Sequence, residues 1–98
     1  MPSGKVKGRL KSYLRKDETG IRKAVLNLFL KEGRYTTDVI YNFLKEKKFD
    51  ITHRGVCAMV GLMNTKLGIL GLELRKSRNV YFLKENCREI LKSILENY

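Results

Sequence analysis

The stretch from Asp50 to Leu67 most constrains what this chain can become. Val56, Met59, Val60, Met63 and Leu67 recur at spacings of 3, 4, 3 and 4. At about 100° per residue they form one apolar stripe, which predicts an amphipathic helix. Thr52 supplies the start, because its hydroxyl oxygen can accept from a backbone N–H of the first turn. Lys66-Leu67-Gly68 supplies the stop, with Gly68 as a left-handed cap. The opposite face carries Arg54, Ala58, Gly61 and Thr65, with Leu62 at its edge.

The flanking segments follow from that helix. Ile21 to Lys31 forms an earlier helix with a wide stripe, Ile21, Ala24, Val25, Leu28 and Phe29. Leu26 and Leu30 lie on its other side, so it needs cover on two faces. Gly33 is its expected stop. Arg34-Tyr35 reads as a one-bridge strand. Thr36 caps the next helix, with Asp38 in the first turn and Val39, Ile40, Phe43 and Leu44 as the core stripe. Lys45, Lys47 and Lys48 complement its C-terminal end. After Gly68, Leu72–Arg75 and Val80–Leu83 alternate as two half-buried strands around a basic turn, Lys76-Ser77-Arg78-Asn79. Asn86 and Glu89 resemble a capping box, opening a last helix striped by Cys87, Ile90, Leu91, Ile94, Leu95 and Tyr98.

The expected architecture is therefore mainly α with a small β-hairpin, a winged helix-turn-helix with extra N- and C-terminal helices. Residues 1–8 read as a mobile basic arm and 9–98 as one domain, with a core over 21–84 and a C-terminal helix over 86–98. A length of 98 residues suits one small domain and not two. Within it, Arg9–Lys16 reads as a short helix.

Charge narrows the function. Lys and Arg number 21 against 10 Asp and Glu, a net charge of +11. Such a field favours polyanions such as nucleic acid. Lys5, Lys7 and Arg9 lead a run of six cations before the first acid, Asp17. They suit an arm that follows phosphates, or equally a solvated tail. Arg75, Lys76 and Arg78 concentrate charge at the hairpin tip, where they suit phosphate contact or protect an edge strand from aggregation. No run of 18 apolar residues is present, so no membrane-spanning helix is expected. The two cysteines, Cys57 and Cys87, read as free thiols in a reducing cytoplasm. With one histidine and no Cys-x-x-Cys, no metal site and no cofactor is expected. No nucleophile–base pair or phosphate-cradling loop stands out, so an enzyme is not expected.

From Ile21 to Lys84 the pattern resembles the winged-helix superfamily. It is similar to the N-terminal DNA-binding domain of ferric-uptake-regulator-type repressors. Thr36-Thr37-Asp38-Val39-Ile40-Tyr41 resembles the start of their second helix, Phe49-Asp50-Ile51-Thr52 the approach to their recognition helix, and Leu67-Gly68-Ile69-Leu70 the exit to the wing. The likeness does not reach their metal-binding dimerisation domain. Ala58 and Gly61 also depart from a base-reading helix with long polar side chains. The lysine-rich make-up resembles small uncharacterised archaeal proteins as well.

The resemblance implies a DNA-binding winged helix, a transcriptional regulator or chromatin-associated protein. Thr52, His53, Arg54, Ala58, Gly61 and Thr65 would face double-stranded DNA from the third helix. Arg75, Lys76 and Arg78 would grip it from the wing, and Lys5, Lys7 and Arg9 from the arm. The alternative is a protein-interaction module, since small Ala58, Gly61 and Thr65 let another helix approach. RNA binding ranks lower without an aromatic strand motif. A homodimer is expected through Leu26, Leu30, Ile90, Leu91, Ile94, Leu95 and Tyr98.

Overall fold

The computed structural model describes residues 3–31 and 33–97. Five helices and one hairpin follow in order: α1 (Ser3–Arg15), α2 (Ile21–Leu30), α3 (Thr37–Glu46), α4 (His53–Thr65), β1 (Leu70–Arg75), β2 (Arg78–Leu83) and α5 (Glu85–Leu95). The chain is mainly α with a small antiparallel hairpin, an arrangement compatible with a winged helix-turn-helix.

The expected caps of α3 and α4 form. Thr36 Oγ1 accepts from Val39 N at 3.2 Å, and Thr52 Oγ1 accepts from Gly55 N at 3.0 Å. The stripe Val56, Met59, Val60, Met63 and Leu67 is buried, and Gly68 adopts φ +67° to turn the chain into β1.

Other ends are built differently from expectation. α2 has Gly20 as its N-cap residue, which has no side chain to offer. Asp17 substitutes from outside the helix, accepting from Arg22 N at 3.2 Å and Lys23 N at 3.1 Å. A carboxylate there also meets the positive end of the helix dipole. α2 then stops at Leu30, with Lys31 already extended, before Gly33 is reached. Arg88 of α5 takes up the freed Leu30 carbonyl, donating from Nη1 at 2.5 Å.

α3 closes in a Schellman turn, Lys48 N to Lys45 O at 3.0 Å and Phe49 N to Leu44 O at 3.1 Å. The left-handed position is held by Lys48 (φ 69°), a residue with a Cβ. α5 opens on Lys84 with no side-chain cap, so the capping box of Asn86 and Glu89 does not form. The reason is continuity: Lys84 N still bonds Ile69 O at 2.9 Å, and the helix begins at once.

The segment expected as a mobile arm is helical from Ser3, and Val6 is buried with Leu10 and Leu14. Met1 and Pro2 of that expectation lie outside the described residues. α1 packs mainly on α5, and α5 packs in turn on α2. Leu26, Leu91, Ile94 and Leu95 are thereby buried inside one chain, and Leu30 and Ile90 partly so. The two apolar faces that motivated a homodimer cover each other, so Leu26, Leu91, Ile94 and Leu95 are core and not a waiting interface. Tyr98 lies outside the described residues.

In α3, Ile40 and Leu44 are fully buried, yet Val39 is 49% exposed. It lies roughly 120° around the helix from the midpoint of that pair. Tyr41 and Phe43, on the flanks of the stripe, are partly buried instead.

The hairpin pairs Leu70 with Leu83 through to Arg75 with Arg78. A two-residue turn at Lys76-Ser77 closes it, both at positive φ as a type I′ turn requires. Tyr35 adds the expected single bridge on the far side of β2, with reciprocal bonds to Tyr81 of 2.9 and 2.8 Å. Partners directly across share a face, so Leu70, Leu72 and Leu74 lie with Leu83, Tyr81 and Asn79. On that face Leu70 and Leu83 at the base lie in the core, and Tyr81 packs partly buried against it. Leu72 and Leu74 were expected inside a half-buried ribbon but are 46% and 73% exposed, because the hairpin projects beyond the helices.

Candidate nucleic-acid interface

The side of α4 turned away from the core presents Arg54, Ala58 and Thr65 exposed and Gly61 half-buried. A Cβ added at Gly61 would meet nothing within 4 Å, so the surface there is flat and open. Two of the expected contact hydroxyls are already engaged. Thr52 caps the helix, and Thr65 Oγ1 donates to Gly61 O at 2.9 Å.

Each end of α4 borders a cleft, the N-terminal one with a single cation, Arg78, facing the acid Asp38, and the C-terminal one with four cations. At its N-terminal end a cleft of about 410 Å³ is lined by the cap residue Thr36, Thr37 and Asp38 of α3, His53 and Cys57 of α4, and Arg78, Asn79 and Tyr81 of β2. This places Arg78, next to the turn at the hairpin tip, beside the first turns of α4. At the C-terminal end a cleft of about 640 Å³ lies against α1, lined by Arg9, Lys16, Arg22 and Lys66 among others. α4 has 13 residues, about 20 Å of helix at 1.5 Å per residue. An open, mostly small-residue face of that length thus has cations at both ends. Arg9 belongs to this surface, but as part of a fixed helix. Lys5 and Lys7 are exposed on α1 and line neither cleft.

The hairpin charges are unequal. Glu73 Oε2 accepts from Arg75 Nε at 2.9 Å, while its Oε1 lies 3.2 Å from Arg34 Nη1. The Arg34 guanidinium stacks 4.6 Å from the Phe82 ring centroid. Among the described residues no carboxylate holds Lys76 or Arg78 in this way.

Arg22 is also committed. Its guanidinium lies 4.2 Å over the Tyr13 ring and donates to Tyr13 O at 2.8 Å. Burial pushes the Tyr13 hydroxyl up to about 12 against the opposing pull of Arg22, with Asp17 adding to the rise.

From sequence Lys16 is only the last cation of the basic run and Lys66 only part of the helix stop; no local pattern says that α1 passes the end of α4. A second arrangement was also missed. His53 Nε2 lies 2.6 Å from Asp38 Oδ1, and His53 Nδ1 lies 3.7 Å from Cys57 Sγ. The spacing of His53 and Cys57, four apart on a helix, was the available signal for half of it. Cys57 is exposed and Cys87 buried, both as free thiols. Burial raises the Cys87 thiol above its ordinary value, with nearby Lys84 opposing. Among the described residues no helix is long and apolar enough to cross a membrane, and no group of three or more acidic, His or Cys side chains is placed to hold a metal ion.

Comparison with known proteins gives relatives but no solved fold. A protein of Archaeoglobus fulgidus, described as an uncharacterized protein, is 38% identical over 96 residues, covering 98% of each chain. No solved structure matches. A family model described as "Protein of unknown function (DUF2551)" matches residues 10–91, and the chain belongs to that family.

Proposed function

We propose that this protein is a DNA-binding winged helix that lays α4 against the major groove of duplex DNA and grips phosphates on either side. The supporting observation is the placement of cations at both ends of one open helix face: Arg78 by the N-terminal cleft, and Arg9, Lys16 and Lys66 by the C-terminal one. A major groove about 12 Å wide admits a helix, and its borders are phosphates. Ala58 and Gly61 let the helix backbone come close but offer no side-chain hydrogen bonds to base edges. Arg54 is then the main base-reading candidate, so sequence preference is weak and affinity is mostly electrostatic. A role in transcription or chromatin organisation follows from that binding mode.

The test is fluorescence anisotropy on random duplex DNA across a salt series. Lys76, Arg78, Arg9, Lys16 and Lys66 make about five phosphate contacts, giving a log–log salt slope near −4.5. A single chain suffices for this mode. No binding at low salt refutes it.

A second reading has its own support. Leu72 and Leu74, 46% and 73% exposed on the edge strand β1, suit a protein partner. Failure to bind DNA together with retention of a partner through this strand would favour it.

A further inference from the structure

The N-terminal cleft holds chemistry that DNA binding does not use. His53 is the first residue of α4, and Cys57 follows one turn later on the same side. Asp38 comes from the first turn of α3. Its Oδ1 is 2.6 Å from His53 Nε2, so that nitrogen carries the proton and donates it to the carboxylate. In the neutral imidazole the other nitrogen, Nδ1, is then the unprotonated one, and it faces Cys57 Sγ at 3.7 Å. Tyr41 packs edge-on against the imidazole with centroids 5.6 Å apart, fixing the ring plane. The sulfur opens into a cleft of about 410 Å³, room for a small molecule.

We infer that Cys57, His53 and Asp38 form a thiol-exchange site, at which Cys57 attacks small disulfides with His53 as its base. His53 Nδ1 takes the Sγ proton as the sulfur attacks one sulfur of RS–SR. The new bond from Cys57 to that sulfur forms as the old S–S bond breaks. The leaving thiolate takes the proton back from His53 and departs as RSH. Cys57 is oxidised to a mixed disulfide and the reagent supplies the oxidising equivalents, so no further reactant is needed. Asp38 is a positioning residue, acting through the His53 tautomer. The inference does not depend on the DNA reading, since it concerns only the reactivity of the sulfur.

Cys87 provides a reference within the same molecule. It is 2% exposed, so it reacts slowly unless the fold opens. The experiment treats the full chain with excess dithiodipyridine, follows thiopyridone release, and assigns the labelled cysteine by peptide mass. The expected result is a fast phase at Cys57 and a slow one at Cys87. His53→Gln slows the fast phase about tenfold or more, less than the roughly hundredfold floor of a typical general-base contribution because an exposed thiol also reacts unaided. Asp38→Asn slows it less. Besides Cys57 itself, the titratable groups lining the cleft are Asp38 of α3, His53 of α4, and Arg78 and Tyr81 of β2. The rate–pH profile of the parent carries an imidazole inflection that His53→Gln loses. Both substituted side chains are largely exposed, 48% for His53 and 62% for Asp38, and an unchanged Cys87 phase verifies the fold. Equal Cys57 rates in the parent and both variants, or a profile indifferent to His53, would overturn the site and leave Cys57 an ordinary exposed thiol.

Discussion

Neutralising one acid should strengthen DNA binding more at low salt than at high salt. Glu73 holds Arg75 at 2.9 Å and Arg34 at 3.2 Å. While it does, Arg75 contributes little net charge to a phosphate, and the salt slope reflects about five other cations. Glu73→Gln removes the acid and frees Arg75 as a further contact. At about 0.9 per contact the slope steepens from roughly −4.5 to roughly −5.4. Between about 0.2 M and about 0.05 M salt, the affinity gap between variant and parent then widens roughly 3.5-fold. Arg78→Ala moves the slope the other way, to roughly −3.6, while Arg75→Ala leaves it nearly unchanged. The fold tolerates the change, because exposed ion pairs contribute only about 0–1 kcal/mol. Anisotropy titrations of a labelled random duplex at several salt concentrations read all four slopes, with thermal melts as the control. If Arg75→Ala flattens the slope as much as Arg78→Ala does, Glu73 does not hold Arg75 at the DNA surface and the reasoning fails. If Arg78→Ala changes nothing, the hairpin leaves the binding mode.

Three further outcomes test how the fold is held. Lys48→Gly relieves a left-handed residue that carries a Cβ (φ 69°), and should stabilise by about 0.5–1 kcal/mol; a lowered melting temperature would show that the Lys48 side chain contributes packing. Arg88→Ala strands the Leu30 carbonyl it now serves at 2.5 Å, and should cost about 1.5–3 kcal/mol in urea unfolding, the worth of a bond to a charged donor; a midpoint within error of the parent contradicts that. Tyr13 ionises at about 12 when folded against an ordinary 10.0. The folded state favours the protonated hydroxyl, so its contribution is intact below pH 10.0 and is lost as pH rises toward 12. Tyr13→Phe should therefore flatten the alkaline fall of the melting temperature in that window, and an equally steep fall would place its cause elsewhere.

What the sequence disclosed follows the range of each interaction. Thr36 and Thr52 act on amides three residues on, and Gly68 acts on its own backbone, so local pattern sufficed. The alternation in the hairpin gave its strands and their order. It did not say how far they project, and Leu72 and Leu74 lie exposed where alternation suggested burial. Periodicity showed that Leu26 and Leu30 need cover but not what covers them. The answer, α5 of the same chain, depends on a bend after β2. Arg88 reaches a carbonyl 58 residues away and His53 a carboxylate 15 residues away, separations at which no sequence pattern marks the pair. The candidate surface was legible to the same degree. Arg54 and Arg78 belong to elements read correctly, whereas bringing Lys16 and Lys66 together required knowing that α1 and the end of α4 share one cleft.

The packing of α1 on α5 also orders events in time. Val6, Leu10 and Leu14 are made first, and much of their cover comes from a helix that begins only at Glu85. During synthesis that apolar stripe must wait while the helices and hairpin between them take shape from nearer contacts. Closing so long a loop is slow, because its entropy is lost before the contacts repay it. The two helices therefore act as a late-fastening clasp around a core that forms earlier. In mature protein the same clasp is the natural place for opening to begin. Hydrogen exchange should then be fastest in α1, slower in α5, and slowest in α2 and α4, whose stripes are buried on more sides.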